Sequence, residues 1–135
     1  MDLQDVRVIE LPKILDRRGN LSIVEENKEI PFKIKRTYWI YDVPQGEERG
    51  KHANRLSYQY LIAIHGSVDV CLEDVNGRRT YHLTSKSEGL LVPPATWNEL
   101  SNFSSDAVLL VFASHVYCPE TYINSYEEFL DFIKR

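Results

Sequence analysis

The chain has 135 residues, of which 43% are hydrophobic and 27% charged, and a formal net charge of −4. That length suits one domain whose core can hold without disulfides or a structural metal. The charge gives no general attraction for nucleic acid or an anionic membrane. No apolar run reaches the ~18 residues that would span a bilayer, and the opening MDLQDVRVIELPK lacks a secretory leader, so a cytoplasmic protein is expected.

Along the chain the dominant period is two. Short apolar-alternating runs recur at VRVIEL, LSIVEE, IKRTYWIY, YQYLIAI, SVDVCLED, RTYHL, GLLVP and AVLLVFAS. In the fifth of these Val68, Val70 and Leu72 alternate with Ser67, Asp69, Cys71 and Glu73, the pattern of a strand with one buried face. Turn residues separate the runs, and Asn76-Gly77 predicts a type I′ hairpin, because that dipeptide tolerates positive φ best. Many short strands with tight turns define an all-β sandwich or barrel, with strands over about 6–114 of a single 1–135 domain. Only the tail changes period. Tyr122, Tyr126, Phe129 and Ile133 form a helical stripe, and Ser125 with Glu128 matches a capping box. A helical tail over about 119–134, packed on the barrel, is expected. Cys71 and Cys118 read as two reduced thiols rather than a disulfide.

The chemistry concentrates around RGKHAN. The spacing Gly50-x-His52-x-Asn54, then Gln59 and Gly66, is similar to the first cupin motif, whose ligand series is His, His, Glu. The second cupin motif maps onto GLLVPPATWNELSN, with Gly89, Pro93 and Asn102 in place and Asn98 at the ligand position. Of four metal-ligand positions only His52 keeps an imidazole, and the three amides are poor ligands for a divalent transition metal. A metal-free site without cofactor is therefore expected. His65, His82 and His115 read as surface or core-edge side chains.

A lone imidazole in a barrel cavity can take a proton from carbon beside a carbonyl, provided cations or hydrogen-bond donors stabilise the enolate. Arg49 precedes the Gly50 turn, Arg17 and Arg18 sit in the Asp16-to-Gly19 turn, and IKRTYWIY carries Lys35 and Arg36. Strand alternation puts Arg36, Tyr38 and Ile40 on one face and Lys35, Thr37 and Trp39 on the other. Two arginine-bearing turns at one barrel mouth would suit a diphosphate. Trp39 and Trp97 read either as stacking surfaces or as core, and Glu99 as a cavity or edge charge.

Taken together, DRRGNLSIVEENKEIPFKIKRTYWIYDVP, RGKHA, HGSVDVCLED, GLLVPPATWNEL, FSSDAVLLVFAS and ETYINSYEEF closely resemble, nearly end to end, the dTDP-4-keto-6-deoxyglucose 3,4-ketoisomerases of the FdtA/QdtA (WxcM-like) family. The resemblance implies a homodimeric, metal-independent cupin acting on a dTDP-linked keto-deoxysugar, on the way to the amino-deoxysugars of bacterial surface polysaccharides. It implies a first motif of His-x-His with both imidazoles in the active site. His52 matches the first, Asn54 replaces the second, and Asn98 stands where one branch has His and another Arg. The site expected on these grounds has His52, Asn54 and Tyr38 as catalytic residues and Arg18, Arg36, Arg49, Gln59, Trp97 and Asn98 as substrate-binding residues. Three readings stay open at this stage. The first is a ketoisomerase in which His52 serves the carbons while Tyr38, Tyr58 or water serves the oxygens. The second is an enzyme like the dTDP-sugar 3,5-epimerases, which this stretch resembles through Arg-Gly-x-His-x-Gln. The third is a nucleotide-sugar-binding cupin without catalysis.

Overall fold

A computed structural model describes residues 5–134; residues 1–4 and 135 of the expected 1–135 domain lie outside the described residues. The strands are β1 (Arg7–Glu10), β2 (Lys13–Ile14), β3 (Leu21–Ser22), β4 (Arg36–Tyr41), β5 (Arg49–Asn54), β6 (Gln59–His65), β7 (Val68–Asp74), β8 (Gly77–Leu83), β9 (Glu88–Val92), β10 (Trp97–Ser101), β11 (Val108–Ala113) and β12 (Tyr122–Ile123). One helix, α1 (Tyr126–Ile133), follows. Two five-stranded antiparallel sheets, in the orders β1-β9-β6-β11-β4 and β12-β5-β10-β7-β8, face each other as the walls of a cupin barrel.

The period of two determines which side chains fill the space between the walls. Val68, Val70 and Leu72 of β7 are fully buried, and they meet Leu61, Ala63, Leu90, Leu109 and Val111 from the opposite sheet in the main core. Those inward positions are the ones the alternation marks. The outer face of the first sheet is covered by the excursion between β1 and β4. Leu11, Ile30 and Phe32 close over Tyr60, Ile62 and Leu91 there. In LSIVEE only Leu21 and Ser22 join the β2–β3 hairpin; the chain then carries Val24 onto this second core, and Glu26 makes an isolated bridge to Ile30.

Two expectations are corrected. The β7–β8 hairpin exists, with Asp74 opposite Gly77, so its loop is Val75-Asn76 rather than Asn76-Gly77. Positive φ falls on Gly77, at 143°, and not on Asn76, so the turn is not type I′. The Asp74 carboxylate accepts from the Asn76 amide at 2.8 Å and shapes the loop instead.

The tail is not continuously helical over 119–134. It runs through a 3₁₀ turn, Pro119–Thr121, into β12, and only then into α1. The capping residue explains the boundary: the Ser125 side chain accepts from the Glu128 amide, so the helix begins after Ser125 and leaves Tyr122 outside it. Phe129 then packs with Ile123, Ala53 and Trp97 on the outer face of the second sheet.

Candidate active site

Between the sheets, at the end not filled by the main core, lies a cavity of ≈ 480 Å³. Leu61, Leu100 and Val111 form its apolar floor and belong to the main core as well. Its polar wall carries Arg36, Tyr38, Arg49, His52, Gln59 and Asn98, which the structure thereby brings together. A cavity of this size with a few convergent polar groups suits one small-molecule ligand.

β5 presents His52 through an irregular start. Gly50 and Lys51 both have positive φ, 80° and 63°, and the β5–β10 register shifts between Asn98 and Glu99. This bulge re-aims the strand before it regains its pairing, with His52 opposite Asn98. Gly50 is required twice over, since a Cβ there would lie 2.5 Å from Asn98 Oδ1. Asn98 is itself buried, on the inward side of β10.

Electrostatics suit the imidazole to accept a proton. Burial, and secondarily the Arg49 guanidinium, hold His52 below its usual value, so it is neutral at pH 7. Tyr38 is the opposite case. Burial first, then its neighbour Tyr122, push its phenol up to about 12, and Gln59 Nε2 donates to its oxygen at 3.3 Å. Tyr38 thus keeps its proton and can donate a hydrogen bond into the cavity. Arg36 stacks over the Tyr38 ring at 4.3 Å and the Tyr117 ring at 5.0 Å, which holds its charge at the cavity wall.

Three expected site residues lie elsewhere, as does one candidate for the oxygen chemistry. Asn54 shares the face of β5 with His52, but its side chain is spent on the chain reversal: Oδ1 accepts from the Leu56 and Ser57 amides at 2.9 and 2.7 Å, and Nδ2 donates to Thr121 Oγ1 at 3.2 Å. Trp97 is 3% exposed and packs beneath α1, because alternation along β10 sends Trp97 and Glu99 outward when Asn98 and Leu100 point inward. Glu99 accordingly binds the Trp97 indole and Arg78, away from the cavity. Arg18 sits on the projecting β2–β3 hairpin, its side chain 84% exposed and forked onto Asp16, so the two arginine turns do not converge within one chain. Tyr58 packs near Phe32 outside the cavity.

The sequence reading missed Tyr122. Its ring meets His52 edge-on at 4.9 Å between centroids and an interplanar angle of 86°, and its hydroxyl accepts from Arg36 Nη1 at 3.1 Å. The signal lies in the capping box at Ser125, which excludes Tyr122 from the helix and starts the helical aromatic stripe at Tyr126.

The donor set does not fit the metal that many cupin barrels hold. Among the described residues no three His, Cys, Asp or Glu side chains gather in ligating positions, and of the four motif positions Asn54 is already bound to the chain itself. Neutral amides around one imidazole leave a divalent cation's charge uncompensated.

Fold and site together define a cupin whose cavity offers a neutral imidazole, phenols and guanidinium groups rather than a metal-ligand set. The family described as FdtA, WxcM-like, C-terminal matches residues 4–134, and the chain belongs to it. It is 44% identical over 129 residues, 96% of this chain and 93% of the relative, to a TDP-4-oxo-6-deoxy-alpha-D-glucose-3,4-oxoisomerase of Aneurinibacillus thermoaerophilus. Among solved structures it is similar to QdtA, a sugar 3,4-ketoisomerase from Thermoanaerobacterium thermosaccharolyticum in complex with TDP, with a TM-score of 0.95, 35% identity and coverage of 98% of this chain and 97% of that one. It is also similar to the WlaRB TDP-quinovose 3,4-ketoisomerase from Campylobacter jejuni, with a TM-score of 0.92, 40% identity and coverage of 96% and 99%.

Proposed function

We propose that the chain is a sugar 3,4-ketoisomerase that moves the carbonyl of a dTDP-linked 4-keto-6-deoxyhexose from C4 to C3 through an enediol. The observation that carries this reading is a neutral, half-buried imidazole at the wall of a cavity that also holds two guanidinium groups and a protonated phenol. His52 takes the C3 proton and returns it at C4. Tyr38, fixed by Gln59, donates a hydrogen bond to the oxygen that gains negative charge. Arg36 and Arg49 stabilise the enolate and bind the diphosphate, and Asn98 shapes the wall beside Gly50. Sequence identity extends over almost the whole of each relative named above, which favours isomerisation over 3,5-epimerisation or binding alone.

The test is incubation with TDP-4-keto-6-deoxyglucose in deuterated buffer, followed by NMR. The expected product carries its ketone at C3 and solvent deuterium at C4, and His52→Ala removes both changes. An unmoved carbonyl with inverted stereochemistry would point to epimerisation, and binding without exchange to a non-catalytic cupin.

The finer setting rests on the family resemblance: one domain working as a homodimer, in the cytoplasm, on the route to surface-polysaccharide deoxysugars. Support for assembly comes from β4, which lies at a sheet edge and leaves Trp39 and Tyr41 57% and 58% exposed. Bare apolar side chains on a free edge strand invite cover by a second copy. A monomeric mass in sedimentation would refute it.

A further inference from the structure

Moving a carbonyl between adjacent carbons requires two transfers: one proton from C3 to C4, and one from the C3 oxygen to the C4 oxygen. His52 accounts for the first. The second needs a group that gives up a proton and takes one back, and Tyr38 is poorly suited to that cycle. Burial pushes its phenol up to about 12, so its strength is donation of a hydrogen bond.

Tyr122 has the placement for the second transfer. β12 runs antiparallel to β5 with Tyr122 opposite Asn54 and Ile123 opposite Ala53, so the Tyr122 ring falls diagonally across to His52, at 4.9 Å. Its oxygen accepts from Arg36 Nη1 at 3.1 Å, which directs its own proton away from Arg36 and sets a fixed cation beside any charge left on that oxygen. Arg36 is in turn clasped between the Tyr38 and Tyr117 rings.

β12 is only two residues long, so what fixes Tyr122 is the anchorage of the chain on either side of it. Asn54 Nδ2 donates to Thr121 Oγ1 at 3.2 Å, the Arg55 amide donates to Thr121 O at 2.8 Å, and Arg55 Nη1 donates to Glu120 O and Tyr122 O at 3.1 and 3.3 Å.

Resting on the isomerase reading above, we propose that Tyr122 is the catalytic residue that carries the proton between the sugar oxygens, and that Asn54 is the positioning residue that holds it in register. As His52 removes the C3 proton, the C3–H electron pair becomes the C3–C4 double bond, and the C4 carbonyl oxygen takes the Tyr122 proton to give the enediol. The Tyr122 phenolate, facing Arg36, then removes the proton of the C3 hydroxyl. The C3 carbonyl forms, and the double-bond electrons take back the proton from His52 at C4. Every group ends in its starting state.

The experiment compares wild type, Tyr122→Phe, Asn54→Ala and the double variant on TDP-4-keto-6-deoxyglucose in deuterated buffer. C3 deuteration of recovered substrate and ketone migration are followed separately, and TDP-induced thermal shift serves as the check on folding and binding. Tyr122→Phe keeps the ring and its contact with His52, so TDP binding and C3 exchange persist while ketone migration falls by roughly 10²-fold or more. The ratio of exchange to migration therefore rises. Asn54→Ala shifts that ratio in the same direction by a smaller factor, and adds nothing once the Tyr122 hydroxyl is gone. Ketone migration at the wild-type rate in Tyr122→Phe overturns the proposal, as does an equal loss of exchange and migration in a variant that still binds TDP. Asn54→Ala with an unchanged ratio overturns the positioning role. A wild-type protein with neither exchange nor migration defeats the isomerase reading itself, a result distinguishable from the others because no variant is needed to see it.

Discussion

At position 52 a common residue acquires an uncommon value through its surroundings. Burial disfavours the imidazolium, and Arg49 adds like-charge repulsion, so the folded protein binds this proton less tightly than the unfolded chain does. The sign has two consequences. The acid limb of the kcat/KM profile, which reports the free enzyme, has its midpoint below the ordinary imidazole value of 6.5. Folding stability also declines as pH falls from that ordinary value through the lower folded one, because protonation then favours the unfolded chain. A pH-rate profile checks the first, and a midpoint at or above the ordinary value contradicts it. His52, Arg36, Arg49, Gln59 and Asn98 were legible as cavity residues because motif spacing and strand alternation fix which way a side chain points. Asn54 and Arg18 were not, because each is drawn away by a local hydrogen-bond partner, the amides of residues 56 and 57 in one case and the Asp16 carboxylate in the other. Spacing carries no information about such partners.

At the scale of elements, the strands of the first sheet, with β7 and β8 of the second, were legible from alternation, and the α1 start from its capping serine. β5, β10 and β12 lie outside the alternating runs, and the start of β5 shows why. Two successive residues with positive φ, one of them Lys51, break the strand pattern in a way that residue type does not announce. That irregularity aims His52, which gives Gly50 a functional burden beyond its turn. In Gly50→Ala the new methyl meets Asn98 Oδ1 at 2.5 Å and the Asn98 carbonyl at 3.1 Å, on a backbone already at φ 80°. Backbone atoms of β10 cannot swing aside as a flexible side chain would, so β5 must shift. A stability loss of about 1–3 kcal/mol is expected from the strained conformation. A displacement of 1 Å in a catalytic base costs ~10²-fold in rate, so activity falls out of proportion to stability. Urea unfolding alongside steady-state kinetics separates the two. Wild-type kcat in a destabilised Gly50→Ala would show that the bulge does not set the aim of the imidazole.

Across the whole molecule, the same two sheets that share the main core also enclose the cavity, and Leu61, Leu100 and Val111 belong to both. A ligand seated on that floor therefore braces the opposed walls and cannot bind the unfolded chain, in which the walls do not exist. TDP should accordingly raise the unfolding free energy by about 2.7 kcal/mol at a hundred times its dissociation constant, with the midpoint climbing as the nucleotide is added. A bound divalent cation would brace the walls in the same manner, but no cluster of three ligating side chains occurs among the described residues. Chelation thus provides the complementary measurement. Exhaustive treatment with EDTA should leave both the TDP-induced stabilisation and the rate of ketone migration unchanged, whereas loss of either, restored by a divalent metal, would mean that the imidazole works through a cation after all.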